Sequence, residues 1–420
     1  MAERLTEVDV AVIGAGAAGI GAARTLRKRG VSFVLLEAAH RVGGRGYTEL
    51  VGQDQPFDLG CHWLHSASLN PFTKIADALG FEYSKEGFLR RIHLGDRWAS
   101  PQEQQDHVEF FDRNFAAVHK AAADGLDISL AEATERESRW TPLFDYVVSL
   151  MCSVDSDQVS VRDHHDYNDT GENWQVKNGY GALIARFAAD LPVQLNSAVK
   201  RIDWSGRSVR IETVKGAITA RKVIIAVSTG ILGGGDIRFD PTLPDWKQEA
   251  IAALPLGNHN RICLVFDGNV FGDDHPLGAT VMTGEGEPMG IRIRPFGYDY
   301  VVGVTGGRFA DWLERAGVEA SADLLKEQLA KVVGWPTANK VLRHTVTAWR
   351  GDPWVKGAYS AAQPGRGRQR AKLAEPIDGR LFFAGEATSS EFYATAHGAY
   401  LSGIAAAGQA ADELAPLAAR

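Results

Sequence analysis

The sequence predicts an α/β fold in which one domain is assembled from separated segments and a second domain of mixed α+β structure is inserted into it. Strand and helix patterns alternate at both ends of the 420-residue chain, as in parallel sheets covered by helices. The stretch between them, from about residue 86 to 169, is more polar and more aromatic. Because similar end segments enclose a different one, we expect the two ends to fold together.

The N-terminal segment shows a βαβ pattern. Residues 8–13 are apolar and β-branched, which predicts a buried strand. A helix is predicted over about 17–29, followed by Gly30 in the position where helices commonly end. Residues 31–36 predict a second buried strand that ends at Glu37. This pattern is typical of two parallel strands joined by a helix.

The rest of the chain shows further elements. Helices are predicted over 102–122, 141–152, 320–333 and 397–414, and strands over 199–204, 208–213, 222–227, 263–266, 300–305 and 380–384. The Gly- and Arg-rich stretch 363–370 is expected to be a linker. The acidic residues Asp163, Asp166, Asp169 and Glu172 are expected in a solvated loop.

Composition and charge exclude several classes of protein. The net charge is −7, and no basic run suited to a phosphate backbone is present, so no nucleic-acid partner is expected. Three scattered cysteines, Cys61, Cys152 and Cys263, favour a reducing compartment over a disulfide framework. No apolar run reaches the ~18 residues that cross a bilayer, and glycines interrupt the early apolar stretch, unlike a signal peptide. We expect a cytoplasmic protein without a membrane partner.

A glycine fingerprint lies between the first strand and the first helix. Gly14 allows a tight turn, Gly16 lets the backbone approach a pyrophosphate, and Gly19 lets the helix pack closely on the strand. Glu37 follows about 20 residues later at the end of the second strand, where a carboxylate binds a ribose diol. The combination predicts a dinucleotide-binding site.

Two further segments favour a flavin dinucleotide over a nicotinamide dinucleotide. The GGR sequence at 43–45 places a fixed cation in a second close-approach loop, which suits FAD and has no use there in NAD enzymes. Gly385 and Glu386 follow the last predicted strand, and 396–399 opens the last helix. The N-terminus of a helix stabilises the flavin edge that becomes negative on reduction. We therefore expect FAD as the cofactor.

On these motifs the chain resembles the flavin-dependent amine oxidase family, which includes monoamine oxidases, polyamine oxidases and lysine-specific histone demethylases. The similar segments occur in family order: the fingerprint through GGR, FDLGCHWLHSASLNP (57–71), VKNGYGALI with LNSAVKRID (176–203), LPLGNHNRICLVFD (254–267), TAWRGDPWVKGAYS (347–360) and LFFAGEATSS…ATAHGAYLSG (381–403). The motifs are most similar to those of polyamine oxidases. From about residue 86 to 166 the similarity is poor.

The resemblance implies a discontinuous Rossmann-like FAD-binding domain with an inserted α+β substrate domain. The FAD-binding domain is expected to comprise 1–85, 176–255 and 344–420, and the substrate domain 86–175 and 256–343. FAD is expected to bind non-covalently, because an alanine, Ala358, stands where monoamine oxidases carry the cysteine linked to the flavin. The implied FAD contacts are Gly14, Gly16, Gly19, Glu37, Gly43, Gly44, Arg45, Val199, Trp349, Gly385, Glu386, Thr395 and Ala396.

Five residues are implied to act at the substrate. Tyr359 and Trp349 match aromatic residues beside the flavin, and Thr395 replaces the second tyrosine of the monoamine oxidase cage. His65 matches the second histidine of the polyamine oxidase sequence GAHWIHG, where a neutral imidazole can accept a hydrogen bond from the amine or help to deprotonate it. A histidine bonded to backbone is the alternative. Arg261 stands where the family usually has a lysine that bonds through water to flavin N5.

The resemblance implies oxidation of a polyamine or another alkylamine to an imine by hydride transfer to flavin N5. Aldehyde or ketone and amine are then released, and O₂ is expected to reoxidise the flavin with formation of H₂O₂. Arg261 leaves another electron acceptor open, because arginine keeps the charge of lysine but cannot give up its proton. The oligomeric state is not determined by the sequence.

Three alternatives remain open. An L-amino-acid oxidase needs a buried arginine for the carboxylate, and Arg90, Arg91 or Arg261 can serve. The others are an amine dehydrogenase and a flavin-binding module without turnover. A metal site at Cys61, His62 and His65 is not expected, since no second ligand cluster has zinc spacing.

Overall fold

The computed structural model describes residues 6–86, 91–282 and 286–414. The strands are β1 Thr6–Ile13, β2 Phe33–Leu36, β3 Thr48–Val51, β4 Gln55–Asp58, β5 Trp63–Leu64, β6 Tyr83–Ser84, β7 Ile92–His93, β8 Trp174–Val176, β9 Val193–Gln194, β10 Val199–Asp203, β11 Val209–Thr213, β12 Gly216–Ile225, β13 Arg238–Asp240, β14 His259–Val265, β15 Gly278–Val281, β16 Met289–Ile293, β17 Tyr300–Gly306, β18 Arg343–Val346 and β19 Leu381–Phe383. The helices are α1 Ala17–Lys28, α2 Pro71–Leu79, α3 Pro101–Ala123, α4 Leu130–Ala133, α5 Thr141–Cys152, α6 Val161–His165, α7 Tyr180–Ala188, α8 Thr229–Gly233, α9 Asp245–Ala252, α10 Gly307–Ala316, α11 Val318–Val333, α12 Trp335–Ala338, α13 Gln369–Ala374 and α14 Ala396–Asp412.

An eight-stranded sheet joins the two ends of the chain. Its order is β13-β10-β11-β12-β1-β2-β9, and β19 pairs in parallel with the C-terminal half of β12. The strands β1 and β2 are parallel neighbours, as the βαβ pattern predicts. The predicted α/β fold with one sheet built from separated segments is therefore confirmed.

Apolar residues cover both faces of this sheet. On one face α1 packs against α14, in a core that includes Ile20, Leu26 and Ala407. The other face packs against α8, α9 and α13, with Ile231, Ile251 and Leu373 in the core. Burial on both faces explains why β1 and β2 are continuous apolar runs without alternation.

A second sheet of six strands has the order β18-β14-β17-β16-β15-β7. Its pairs are antiparallel except for β15 with β7. One face packs on α11 through Leu325 and Leu329. The opposite face carries Cys263 and Tyr300 and meets Phe57 of β4. Strand β14 begins at His259, earlier than the predicted start at residue 263. The prediction left out the first residues of the strand because they include the polar His259, Asn260 and Arg261. In the structure Asn260 bonds to Glu314, and His259 and Arg261 face a cavity rather than solvent.

The polar central stretch folds into helices. The predicted helix 141–152 is confirmed as α5, and the helix predicted over 102–122 is α3. Helix α3 begins with a capping box between Ser100 and Glu103, which satisfies two backbone N–H groups at its first turn. Across the described ranges, no helix combines the length and the apolar character needed to cross a membrane. The three cysteines are free thiols.

Two expectations drawn from polarity were wrong. Arg370 lies in α13 rather than in a linker and is only 1 % exposed. Asp163 is equally buried, because its carboxylate pairs with Arg370 at 2.6 Å from Nε and 2.8 Å from Nη2. It also accepts a hydrogen bond from the backbone N–H of Ala362 at 3.0 Å. Asp166 and Asp169 are exposed, as expected.

Replacement of Arg370 by methionine leaves the Asp163 carboxylate buried and unpaired. We expect Arg370→Met to lower the free energy of unfolding by about 3–5 kcal/mol, measured by chemical denaturation. The control is Lys372→Met on the same helix, since Lys372 forms an exposed ion pair with Glu375 and its loss costs at most ~1 kcal/mol. Similar losses in the two variants would contradict the prediction.

Candidate active site

A cavity of about 1220 Å³ is lined by residues from both large sheets. Its volume exceeds the ~300–1,000 Å³ typical of a small-molecule pocket. Of the residues predicted from the sequence, those that line it are Gly14, Gly16, Glu37, Gly43, Gly44, Arg45, His65, Val199, Arg261, Trp349, Tyr359, Gly385, Glu386, Thr395 and Ala396. Gly19 does not. Within the described ranges, no cluster of His, Cys, Asp or Glu side chains has the arrangement of a metal site.

Glycine is needed at the three fingerprint positions for different structural reasons. A Cβ on Gly14, whose φ is +100°, would lie 2.6 Å from the carbonyl oxygen of Ala226. A Cβ on Gly19 would lie 1.8 Å from the carbonyl oxygen of Gly14. The protein itself therefore requires these two glycines. At Gly16 the nearest atom to a Cβ is the carbonyl oxygen of Gly43, at 3.9 Å, so the glycine there leaves room for a ligand.

The region around Gly16 suits a dinucleotide. Gly16 is the N-cap of α1 and provides no side chain to cap it, so the first N–H groups of the helix are available to an anion. Glu37 is buried at the end of β2 and accepts hydrogen bonds from the backbone of Ala15 at 2.7 Å and Ala39 at 2.8 Å. Burial raises the pKa of Glu37, against these hydrogen bonds. The residues fit the expected pyrophosphate and ribose.

Arg45 and Glu386 form an ion pair in the cavity wall. Arg45 Nη1 donates to Glu386 Oε1 at 2.9 Å and to the carbonyl oxygen of Ala358. Glu386 also accepts from the Ser360 hydroxyl at 2.7 Å. Burial tends to raise the pKa of Glu386, but Arg45 and Arg370 hold it below its usual value. The fixed cation of the GGR loop is therefore partly neutralised by the loop that follows β19.

The predicted aromatic and threonine residues are positioned by backbone contacts. Trp349 donates from Nε1 to the carbonyl oxygen of Leu59 at 3.2 Å. The Tyr359 hydroxyl donates to the carbonyl oxygen of Leu150. The Thr395 hydroxyl caps α14 by accepting from the backbone N–H of Gly398 at 3.0 Å. All three side chains line the same cavity.

His65 bonds to a side chain rather than to backbone. Its Nδ1 lies 2.5 Å from Asn173 Oδ1, and because an amide oxygen only accepts, Nδ1 carries the proton and Nε2 is an acceptor. Burial lowers the pKa of His65, while Asn173 and nearby Asp169 oppose that shift. The imidazole is therefore neutral at pH 7.

Arg261 is a cation in this wall that has no carboxylate partner among the described residues. It is 6 % exposed, and its Nε and Nη1 are buried without an acceptor. Burial lowers the pKa of Arg261, and Asp58 opposes this. Its guanidinium carbon lies 5.0 Å from the centre of the Phe57 ring.

Neither of the other two arginines considered for a substrate carboxylate is among the described residues of this wall. Arg91 stacks on Trp98 and does not line the cavity, and Arg90 is outside the described residues.

The sequence analysis did not assign several other lining residues to the site, among them His62, His259 and Arg292. Burial and nearby Arg261 lower the pKa of His259 to about 4, and that of His62 well below its usual value. Burial lowers the pKa of Arg292 to about 10, so it stays charged at pH 7. Gly290 and Arg292 are two residues apart in β16, so strand alternation places both on the side of the strand that lines the cavity. No other feature of the sequence indicates this position for Arg292.

The sequence of this chain is similar to those of known proteins. The profile of the family described as flavin containing amine oxidoreductase matches residues 17–411. Polyamine oxidase 4 of Oryza sativa subsp. japonica is 30 % identical over 431 residues, covering 95 % of this chain and 88 % of that protein. Lysine-specific histone demethylase 2 of Homo sapiens is 29 % identical over 432 residues, covering 94 % and 52 %.

Solved structures show the same fold. Putrescine oxidase bound to putrescine superposes with a TM-score of 0.82 at 20 % identity, covering 98 % of this chain and 100 % of that one. Cyclohexylamine oxidase from Brevibacterium oxydans IH-35A gives a TM-score of 0.78 at 23 % identity, covering 97 % and 99 %.

The difference between Gly16 and Gly19 can be tested with two alanine variants. We expect Gly16→Ala to leave the free energy of unfolding of the apoprotein within ~0.5 kcal/mol of wild type and to lower the flavin-to-protein absorbance ratio of the purified protein. Gly19→Ala is expected to destabilise the apoprotein as well, because its Cβ meets backbone at 1.8 Å. Equal destabilisation of the apoprotein by both variants would contradict this assignment.

Proposed function

The chain belongs to the flavin-containing amine oxidoreductase family, and on that premise we propose that it uses non-covalently bound FAD to oxidise the C–N bond of an alkylamine, with O₂ as the electron acceptor. The observation that carries the proposal is one continuous cavity that contains both the dinucleotide-binding turn and His65, Tyr359 and Trp349. The names of the relatives favour a polyamine.

The chain's own residues would hold FAD at one part of this cavity. The N-terminus of α1 receives the pyrophosphate, Glu37 the ribose, and the Arg45–Glu386 pair orders the loops on either side. Ala358 offers no nucleophile for a covalent link, which supports non-covalent binding. When bound, FAD supplies the acceptor for the hydride of the substrate.

The remaining residues prepare the amine. An alkylammonium has a pKa near ~10 in water and must lose its proton before the C–H bond next to nitrogen can be broken as hydride. The aromatic walls at Trp349 and Tyr359 disfavour the charged form by removing it from water. The free Nε2 of His65 accepts a hydrogen bond or the proton from the substrate nitrogen. The imine product hydrolyses to an aldehyde or ketone and an amine.

We also propose that the enzyme acts in the cytoplasm, which the three free thiols support. The acceptor is open to experiment because Arg261 replaces a residue type that can release a proton. An electron acceptor other than O₂ is the alternative.

The function is tested by an anaerobic panel of spermidine, n-pentylamine and L-norleucine added to the flavin-loaded enzyme. We expect at least one amine to bleach the flavin absorbance, and air to restore it with formation of H₂O₂. Failure of all three to bleach the flavin would contradict the proposal. Recovery only with an artificial acceptor would assign dehydrogenase activity instead.

Replacement of His65 tests the amine-binding step. We expect His65→Gln to lower kcat/KM by about 10²-fold. Burial lowers the pKa of His65 from 6.5, so in the wild type kcat/KM falls as the pH drops below 6.5 and the acceptor nitrogen becomes protonated. This acid limb should be absent in His65→Gln.

The control is His275→Gln, since His275 bonds to the carbonyl oxygen of Gly272 and does not line the cavity. An acid limb that persists unchanged in His65→Gln would show that another group titrates.

A further inference from the structure

We propose that Arg261 and Arg292 form an anion-binding subsite in the substrate part of the cavity, and that the substrate is an amine that also carries a carboxylate. This substrate class rests on the proposed amine oxidation at the same site. The subsite itself rests on the geometry of the six-stranded sheet.

Strand register places the two arginines on one face of this sheet. Arg261 in β14 is opposite Val304 in β17, and Val304 is opposite Gly290 in β16. Arg292 follows Gly290 by two residues, so its side chain leaves the sheet on the same side. Both arginines line the cavity. Two cations therefore lie on one wall, two strands apart.

The guanidinium of Arg261 has hydrogen-bonding capacity that the described part of the chain does not use. Its Nε and Nη1 are buried and have no acceptor, and no described carboxylate lies within 4.0 Å of it. Unmet donors on a buried cation are unfavourable, and a planar guanidinium matches a carboxylate with two parallel hydrogen bonds. A carboxylate ligand would supply the missing acceptors.

The carboxylate with the largest electrostatic influence on Arg261 does not fill this role. Asp58 is close enough to influence Arg261 electrostatically, but its oxygens already accept from the Thr48 hydroxyl and from the backbone N–H groups of Tyr180 and Gly181, at 2.9 and 3.1 Å for the two N–H groups. His62 and His259 are neutral and add no negative charge. The wall at Arg261 is therefore positive.

The opposite charge occurs beside His65. Asp169 and Glu172 line the cavity there, and Asp169 is close enough to raise the pKa of His65 against burial. His62 is close to His65 and also to both arginines, so the acidic and basic sides meet at this residue. A ligand that carries an amine and a carboxylate matches both sides, whereas an amine without a carboxylate leaves the Nε and Nη1 donors of Arg261 without an acceptor.

Binding of a carboxylate without an amino group tests the subsite apart from any turnover. The probe is hexanoate, compared with the neutral, isosteric hexanamide, and binding to the flavin-loaded protein is measured by calorimetry. We expect hexanoate to bind more tightly than hexanamide. Arg261→Met should raise the Kd of hexanoate by about 10- to 100-fold and leave that of hexanamide unchanged.

Two further variants make the test specific to position and charge. Arg292→Met should weaken hexanoate binding in the same direction, and Arg261→Lys should restore part of it, because lysine keeps the charge but loses the planar fork. The matched control is Arg91→Met, since this arginine lies outside the cavity. An unchanged Kd of hexanoate in both methionine variants, or an equal loss in Arg91→Met, would overturn the proposal.

Substrate choice is tested with L-norleucine and n-pentylamine, which differ by one carboxylate. We expect anaerobic flavin reduction by L-norleucine to be faster, and this preference to be lost in Arg261→Met. If n-pentylamine alone reduces the flavin and hexanoate does not bind, amine oxidation stands and the subsite is wrong. If neither amine nor spermidine reduces the flavin, the proposed function fails, while hexanoate binding still decides the subsite.

Discussion

The buried ion pair between Arg370 and Asp163 is the interaction on which the arrangement of the cavity wall depends. Two charges removed from water are stable only when both partners and their hydrogen bonds are present. Arg370 also bonds to Ser360, whose hydroxyl donates to Glu386, and Glu386 accepts from Arg45. Three parts of the chain that are distant in sequence, around Arg45, around Asp163 and from 360 to 386, must therefore come together at once. Arg45 and Glu386, at the end of this network, face the cavity directly.

Much of the fold could be predicted because its signals are local. The apolar runs of β1 and β2, the glycine turn between β1 and α1, and the periodicity of α5 each depend on residues close in sequence. The errors arose where a distant partner decides burial. Asp163 and Arg370 look like solvated surface residues until they are known to meet across 207 positions, and Asn260 fits a buried strand because Glu314 of α10 accepts its hydrogen bond.

The same limit applies to the site. Residues in recognisable motifs, such as Gly16, Glu37 and His65, could be named beforehand because the motif itself carries the chemistry. Arg292 and His259 could not, because they face the cavity only through strand pairing and alternation. Sequence also did not reveal that Arg45 bonds to Glu386, which changes the charge that the GGR loop presents to a ligand.

The closing of the eight-stranded sheet by residues from both termini has a consequence for synthesis on the ribosome. The N-terminal βαβ unit is made first, yet α1 packs against α14, and β19 adds to β12 only near the end of the chain. These contacts cannot form before β19 and α14 have been synthesised, so this unit emerges with an apolar helix face that has no cover. Chains that stop short of α14 lack both the helix that covers α1 and the helix turn that Thr395 caps.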